Sequence, residues 1–285
     1  MKKYELTSEV MIHVGHKLHR IKALKDFGNV KAGQLGGWIE KEENLSQDDT
    51  AWIYDNAKVY NSAKVYDSAR VYDNAFIWGN SKVYGNACIF DNVCIFNDAK
   101  VYGDACVSEN AHISDNAKVY GDAKIYSDAW IYGNAAVYEN AKVFDSARVS
   151  DKATIHGFAG IKGNAEIYGE ADIYDYAIIN GNAIIHGKAN VFDIVRIYGH
   201  VDICGDAKVS NNADYISFKN FWSSGRYFTW TRSNNKWRVG CFYGTGEELI
   251  KKAYADSKKS GREYERVVKY VESILADEQK DKQLK

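Results

Sequence analysis

Proline is absent from all 285 residues. Every backbone amide can therefore donate a hydrogen bond, which suits a fold built from ladders of paired strands. Cysteine is scarce: Cys88, Cys94, Cys106, Cys204 and Cys241 form no CxxC pair. Their odd number argues against a disulfide framework and for reduced thiols. No run of 18 apolar residues exists, so no membrane-spanning helix is expected. The opening Met1-Lys2-Lys3-Tyr4-Glu5-Leu6 lacks the apolar stretch of a signal peptide, and the expected location is the cytoplasm. Net charge is almost lacking too, with 37 basic against 38 acidic residues giving −1. No global field favours a membrane or a long nucleic acid. The balance is uneven along the chain: residues 51–213 carry 14 Lys/Arg and 20 Asp/Glu, residues 214–285 carry 15 and 10. Basic character gathers at the C-terminal end.

What the chain has is a repeat. From Ala51 every sixth residue through Ala213 is alanine at 24 of 28 positions, the exceptions being Ser81, Val93, Val195 and Val201. Two residues after each of the first 27, from Ile53 to Val209, stands valine or isoleucine, with no insertion or deletion. Within a unit such as Ala117-Lys118-Val119-Tyr120-Gly121-Asp122, apolar and exposed residues alternate with the period of a strand. Gly, Asp, Asn or Ser then supply corners that accept left-handed backbone. Four strand residues and a two-residue corner make one side of a triangular coil. Three sides consume 18 residues, predicting nine coils and a prism roughly 43 Å long at ~4.8 Å per coil. The predicted fold is mainly β, a left-handed parallel β-helix over 51–213.

This pattern resembles the hexapeptide-repeat left-handed β-helix superfamily, known for acyltransferases and for assembly into trimers. One feature departs from that motif: the turn glycine comes two residues after the aliphatic, with an aromatic between. The N-terminal region, with Leu18-His19-Arg20-Ile21-Lys22-Ala23-Leu24-Lys25-Asp26-Phe27-Gly28, Leu35-Gly36-Gly37-Trp38-Ile39-Glu40 and Glu43-Asn44-Leu45-Ser46, resembles uncharacterised phage, prophage and gut-bacterial proteins carrying such repeats. That resemblance implies the host cytoplasm if the chain is phage-encoded.

Residues 18 apart should stack in columns. Tyr66, Tyr84, Tyr102, Tyr120 and Tyr138 form an aromatic ladder beside Lys64, Lys82, Lys100 and Lys118. The plain reading is ring stacking with lysine stems lying over it, and the alternative is a stacking groove for an anionic ligand. A corner column changes from Ser68, Asn86, Asp104, Asp122 and Asn140 to Phe158, Tyr176 and Ile194, and outward Ile178 and Ile184 join it on neighbouring faces. A solvated wall needs no such residues, so these five are expected to be covered by another subunit or by the C-terminal segment, with a ligand pocket as the alternative.

Both ends depart from the repeat. Residues 1–50 read as a cap, with a hairpin of 10–14 and 17–24 turning at Gly15-His16. That register sends His13 and His19 to opposite faces, against a metal site. Residues 214–276 read as a small α+β domain. In it, Arg226 to Arg232 and Lys236 to Tyr243 form a hairpin, and two helices open on capping boxes, Thr245 with Glu248 and Ser260 with Glu263. Residues 277–285 are expected to fray.

For chemistry, an acyltransferase of this superfamily needs a histidine base. His112, His156, His186 and His200 sit in no inserted loop, and no acid stacks directly on any of them. If the chain is an enzyme, His156 and His186 are the candidates. No histidine or cysteine spacing supports a metal site, and no cofactor is expected. The expected function is a homotrimeric, non-catalytic binding protein, phage-like, that captures a small anionic ligand such as a nucleotide immune signal. Aromatic and basic residues of the C-terminal domain are the expected contacts: Arg226, Trp230, Arg232, Lys236, Trp237 and Arg238. The alternatives are an acyl-CoA-dependent acyltransferase and a structural spacer.

Overall fold

The computed structural model describes residues 2–222 and 224–283. Inward Ala and Val/Ile alternate with outward polar residues, so each repeat forms one short strand. There are 27 of these two-residue strands, β4 (Trp52–Ile53) through β30 (Lys208–Val209). They fall into three parallel sheets, one per face of a triangular prism, and each strand pairs with the one 18 residues on. The solenoid is left-handed, and its interior is a continuous column of Ala, Val and Ile with almost no exposed surface.

The corners explain the Gly/Asp/Asn alphabet. The fifth residue of every unit from Asp55 to Gly205 has positive φ, as in Asp115 (56°) and Gly121 (67°). Glycine takes this conformation without penalty, whereas a residue with a Cβ needs compensation. Aspartate finds it in the next coil. Asp115 Oδ2 accepts the Gly133 amide at 3.1 Å and its Oδ1 accepts Asn97 Nδ2 at 2.9 Å. Asp67 holds Gly85, and Asp151 holds Gly169, in the same way at 3.1 Å.

The solenoid starts earlier than the repeat. Strand β3 (Leu35–Ile39) pairs in parallel with β5 (Lys58–Val59), and Leu45 bridges Val65, so residues 35–50 add an irregular coil to make about ten turns. Ahead of it, β1 (Tyr4–His13) and β2 (His16–Ala23) form an antiparallel hairpin that extends the same sheet. The turn lies at Val14-Gly15, not Gly15-His16: His13 faces His16 and Ile12 faces Lys17. Val14 (φ 47°) and Gly15 (φ 82°) both adopt the left-handed region, as a type I′ turn demands. This register buries Leu18, Ile21 and Ala23.

At the other end, the last coil has no following coil to accept its amides. Three side chains substitute, one per face: Asn212 Oδ1 accepts from Arg196 N (3.1 Å), Thr229 Oγ1 from Asp202 N (3.0 Å) and Ser233 Oγ from Lys208 N (2.7 Å). Two of the three come from the domain built on a four-stranded antiparallel sheet of β31 (Tyr215–Lys219), β32 (Tyr227–Thr231), β33 (Lys236–Val239) and β34 (Phe242–Gly244). The expected second strand over 236–243 is thus broken in two. Gly240, at φ 57°, turns the chain back so that Val239 faces Phe242.

Helices α1 (Gly246–Asp256) and α2 (Lys258–Gln283) follow. The Thr245–Glu248 capping box is present in both directions. The expected box of Ser260 with Glu263 is not formed. The second helix begins three residues earlier, where Ser257 Oγ accepts the Ser260 amide at 3.0 Å and Glu263 pairs with Arg266 instead. The polar end expected to fray from 277 remains helical to Gln283, with Glu278 held by both terminal nitrogens of Arg232 at 2.7 and 3.1 Å. Residues 284–285 lie outside the described residues.

Candidate functional site

The corner between two faces over the late coils carries a groove of about 540 Å³. One flank is the column Asn140, Phe158, Tyr176 and Ile194, whose two rings stack 5.0 Å apart. These three apolar side chains are 55%, 58% and 76% exposed, so the C-terminal domain does not cover them. The floor is the paired column Lys142, Gly160, Ile178 and Arg196. Gly160 is the one glycine among the 27 outward strand positions. Its backbone is not left-handed, and a Cβ there would meet nothing within 4 Å. Neither conformation nor crowding requires glycine at 160. The consequence is a notch between Lys142 and Ile178. Lys162, 5.7 Å from the Phe144 ring centre, completes the far wall. Lys142, Lys162 and Arg196 make no ion pair among the described residues, and no carboxylate lines the groove. The groove is therefore apolar on one side and cationic on the other.

Of the five residues expected at an interface, Phe158, Tyr176, Ile178 and Ile194 meet here. Ile184 does not; it lies on another face, paired with Asp202 beside the C-terminal sheet.

The tyrosine ladder is longer than its five expected members. Rings of Tyr66, Tyr84, Tyr102, Tyr120, Tyr138, His156, Tyr174 and Phe192 stack at 4.8–5.2 Å. Burial raises the phenol pKa of its tyrosines.

Column stacking predicts no orienting acid for the histidines, yet two of them have one. His156 Nε2 lies 3.2 Å from Asp172 Oδ1, which also accepts Thr154 Oγ1 at 2.6 Å. His186 Nε2 lies 3.0 Å from Asp202 Oδ1. The acid sits 16 residues on, not 18: it stacks on the neighbour two positions before the histidine, on the same outward side. Column reasoning along single files misses this diagonal.

Around His186 the groups crowd further. Tyr168 stacks on its ring at 4.7 Å, Cys204 lies in the next coil below the same column, and Arg238 Nε donates to Asp202 Oδ2 at 2.8 Å. Burial would raise the Asp202 carboxyl, but the hydrogen bonds from His186 and Arg238 outweigh it and hold the group low. Burial, aided by Asp202, pushes the Cys204 thiol up to about 12, so it is no thiolate nucleophile at neutral pH. His186, Asp202 and Cys204 place one donor atom each within 4.8 Å of one another, a set able to hold a metal. A cleft of about 250 Å³ adjoins them, lined by Asp202, Arg238, Arg226, Tyr227 and His200, whose ring stacks on Tyr227 at 4.4 Å.

The expected ligand contacts of the C-terminal domain are dispersed. Trp230 and Trp237 face each other across β32 and β33 and are 1% and 2% exposed, packed with Phe228, Leu249, Tyr264 and Val268. They are core, and no ligand face remains on them. So short a domain needs its large rings inside. Arg232 is committed to Glu278 and to the Ala213 carbonyl, and Arg238 to Asp202. Arg226 reaches the seam cleft, and Lys236 is half-buried away from it.

No family model matches the chain. Over 38 residues it is 50% identical to an uncharacterized acetyltransferase, YdcK, of Escherichia coli (strain K12), a stretch that is 13% of this chain and 12% of that protein. The chain thus matches only about an eighth of that relative's length. In its repeat, its corners and this partial likeness, the chain is a hexapeptide-repeat left-handed β-helix.

Proposed function

We propose that the protein is a non-catalytic binding scaffold that captures a small anion bearing a flat aromatic group, of the nucleotide class, in the groove at Gly160. The observation that carries this reading is the groove's lining: two exposed stacked rings and three cations without a single carboxylate. Its volume falls within the range of small-molecule sites. Rings present stacking faces, while lysine and arginine satisfy phosphate oxygens. The exposed edge of Phe158, Tyr176 and Ile194 then serves assembly as well, since a second copy packed on it would deepen the groove. A homotrimer would hold three equivalent clefts.

The test is equilibrium binding of ADP, cyclic nucleotides, ADP-ribose and acetyl-CoA to the wild type, to Gly160→Leu and to Lys142→Gln/Lys162→Gln. Capture predicts a nucleotide that binds, is recovered unaltered after denaturation, and is lost by at least tenfold when the notch is filled. Failure of every nucleotide to bind would refute it. Acyl transfer is the second reading, favoured by the His186–Asp202 pair and by the acetyltransferase likeness. It predicts acetyl-CoA consumption abolished by His186→Gln. A spacer predicts neither binding nor turnover.

A further inference from the structure

We propose that His186, Asp202 and Cys204 form a binding site for a divalent cation of the zinc type at the seam between the prism and the C-terminal sheet. The site is independent of the groove at Gly160. Three donors of different chemistry converge: an imidazole nitrogen, a carboxylate oxygen and a sulfur, all within 4.8 Å of one another. Imidazole with thiolate and carboxylate is a ligand set of borderline softness, which suits zinc. Tetrahedral bonds of ~2.0–2.3 Å place donors about 3.3–3.8 Å apart. The His186–Asp202 pair at 3.0 Å is already that close, and the sulfur closes the remainder by a small side-chain rotation.

The backbone holds the donors in place. Asp202 and Cys204 flank inward Ile203 on β29 (Asp202–Ile203), so both point outward, and His186 projects from the coil before. Strands of a packed prism are a rigid platform for such a constellation. The surroundings resemble the outer support of a metal site. Arg238 donates to the second carboxylate oxygen at 2.8 Å, leaving Oδ1 to face the metal. The Asp202 amide is fixed by Thr229. Cys204 is only 5% exposed, which shields the sulfur, while Asp202 lines the adjoining cleft through which water can take a fourth position. On binding, the thiol proton leaves to solvent, the His186 proton shifts from Nε2 to Nδ1 so that Nε2 can ligate, and thiolate plus carboxylate balance the dication. Among the described residues no other group of three such donors closes this tightly.

Cobalt(II) is the probe, because a cobalt–thiolate bond gives a charge-transfer absorption in the near ultraviolet. Titration should saturate at one equivalent per chain, with the band bleached by zinc. The band should persist in Cys241→Ser, since Cys241 is exposed and is not one of the three donors. It should vanish in Cys204→Ser, and cobalt affinity should fall at least tenfold in His186→Asn. Far-ultraviolet circular dichroism checks that both variants fold. Should Cys204→Ser not fold, His186→Asn in the Cys241→Ser background decides. A wild type without the band, a band that survives loss of Cys204, or an affinity unchanged by His186→Asn overturns the site.

Discussion

Replacing Asp115 tests why aspartate and glycine share one corner position. The residue sits at φ 56° and accepts two hydrogen bonds, from Gly133 N at 3.1 Å and Asn97 Nδ2 at 2.9 Å. Asp115→Ala removes both bonds yet keeps a Cβ in left-handed backbone, a conformation that costs roughly 1–2 kcal/mol for an ordinary residue. That strain is common to Asp and Ala, so the change costs the lost bonds, which are partly solvated and contribute about 0.5–1 kcal/mol. Asp115→Gly loses the same bonds but relieves the backbone. Ala is expected to be the least stable of the three, with about 1 kcal/mol between Gly and Ala, near a fivefold change in an opening constant. In a solenoid each coil contacts only its neighbours, so the effect should be local. Hydrogen exchange of peptides spanning residues 111–135 is the assay. Equal exchange in the Ala and Gly variants would refute the division into strain and hydrogen bonding.

Three further outcomes are expected. The ladder tyrosines have phenol pKa values raised by burial, so the folded chain binds their protons more tightly than the unfolded chain. Their contribution is intact below about pH 10 and declines as pH rises through the folded values; alkaline melting curves that show no fall above that point contradict this. Val14→Asn should raise thermal stability by about 0.5–1 kcal/mol, because a β-branched residue at φ 47° is strained where asparagine is at ease; a lower melting temperature would count against it. Thr229→Val removes the oxygen that accepts the Asp202 amide and should cost about 1–2 kcal/mol at the last coil, read as faster exchange around residues 199–204.

The prism is legible because its signal is redundant. Twenty-seven inward Val or Ile at a fixed interval leave no second register. The ends are less so, since each has one chance to state its geometry. Val14-Gly15 and Gly15-His16 both offer a glycine, and only the burial of Leu18 and Ile21 chooses between them. A strand over 236–243 reads well until Gly240 bends it. The site is legible in part. The corner of Phe158, Tyr176 and Ile194 stands out as misplaced apolar residues, whereas Gly160 is easily passed over among the many glycines of the chain. The signal for it is positional: a glycine two residues before Lys162, where the repeat calls for a side chain. The acids of His156 and His186 lie one file over, and contacts across files need the face, not the column. The arginines of the C-terminal domain find partners in Glu278 and Asp202 that no local pattern announces.

The unbroken six-residue phase governs how the molecule can be remade. Because each unit advances the chain by one side of the triangle, excising 18 residues from the early coils would shorten the prism by one storey and leave every downstream group facing the same direction. Excising six would swing His186, and the terminal sheet with Arg238, onto the adjacent side relative to the N-terminal hairpin. Length and bearing are thus set separately by one small integer, and the family of such truncations would act as a ruler with a compass.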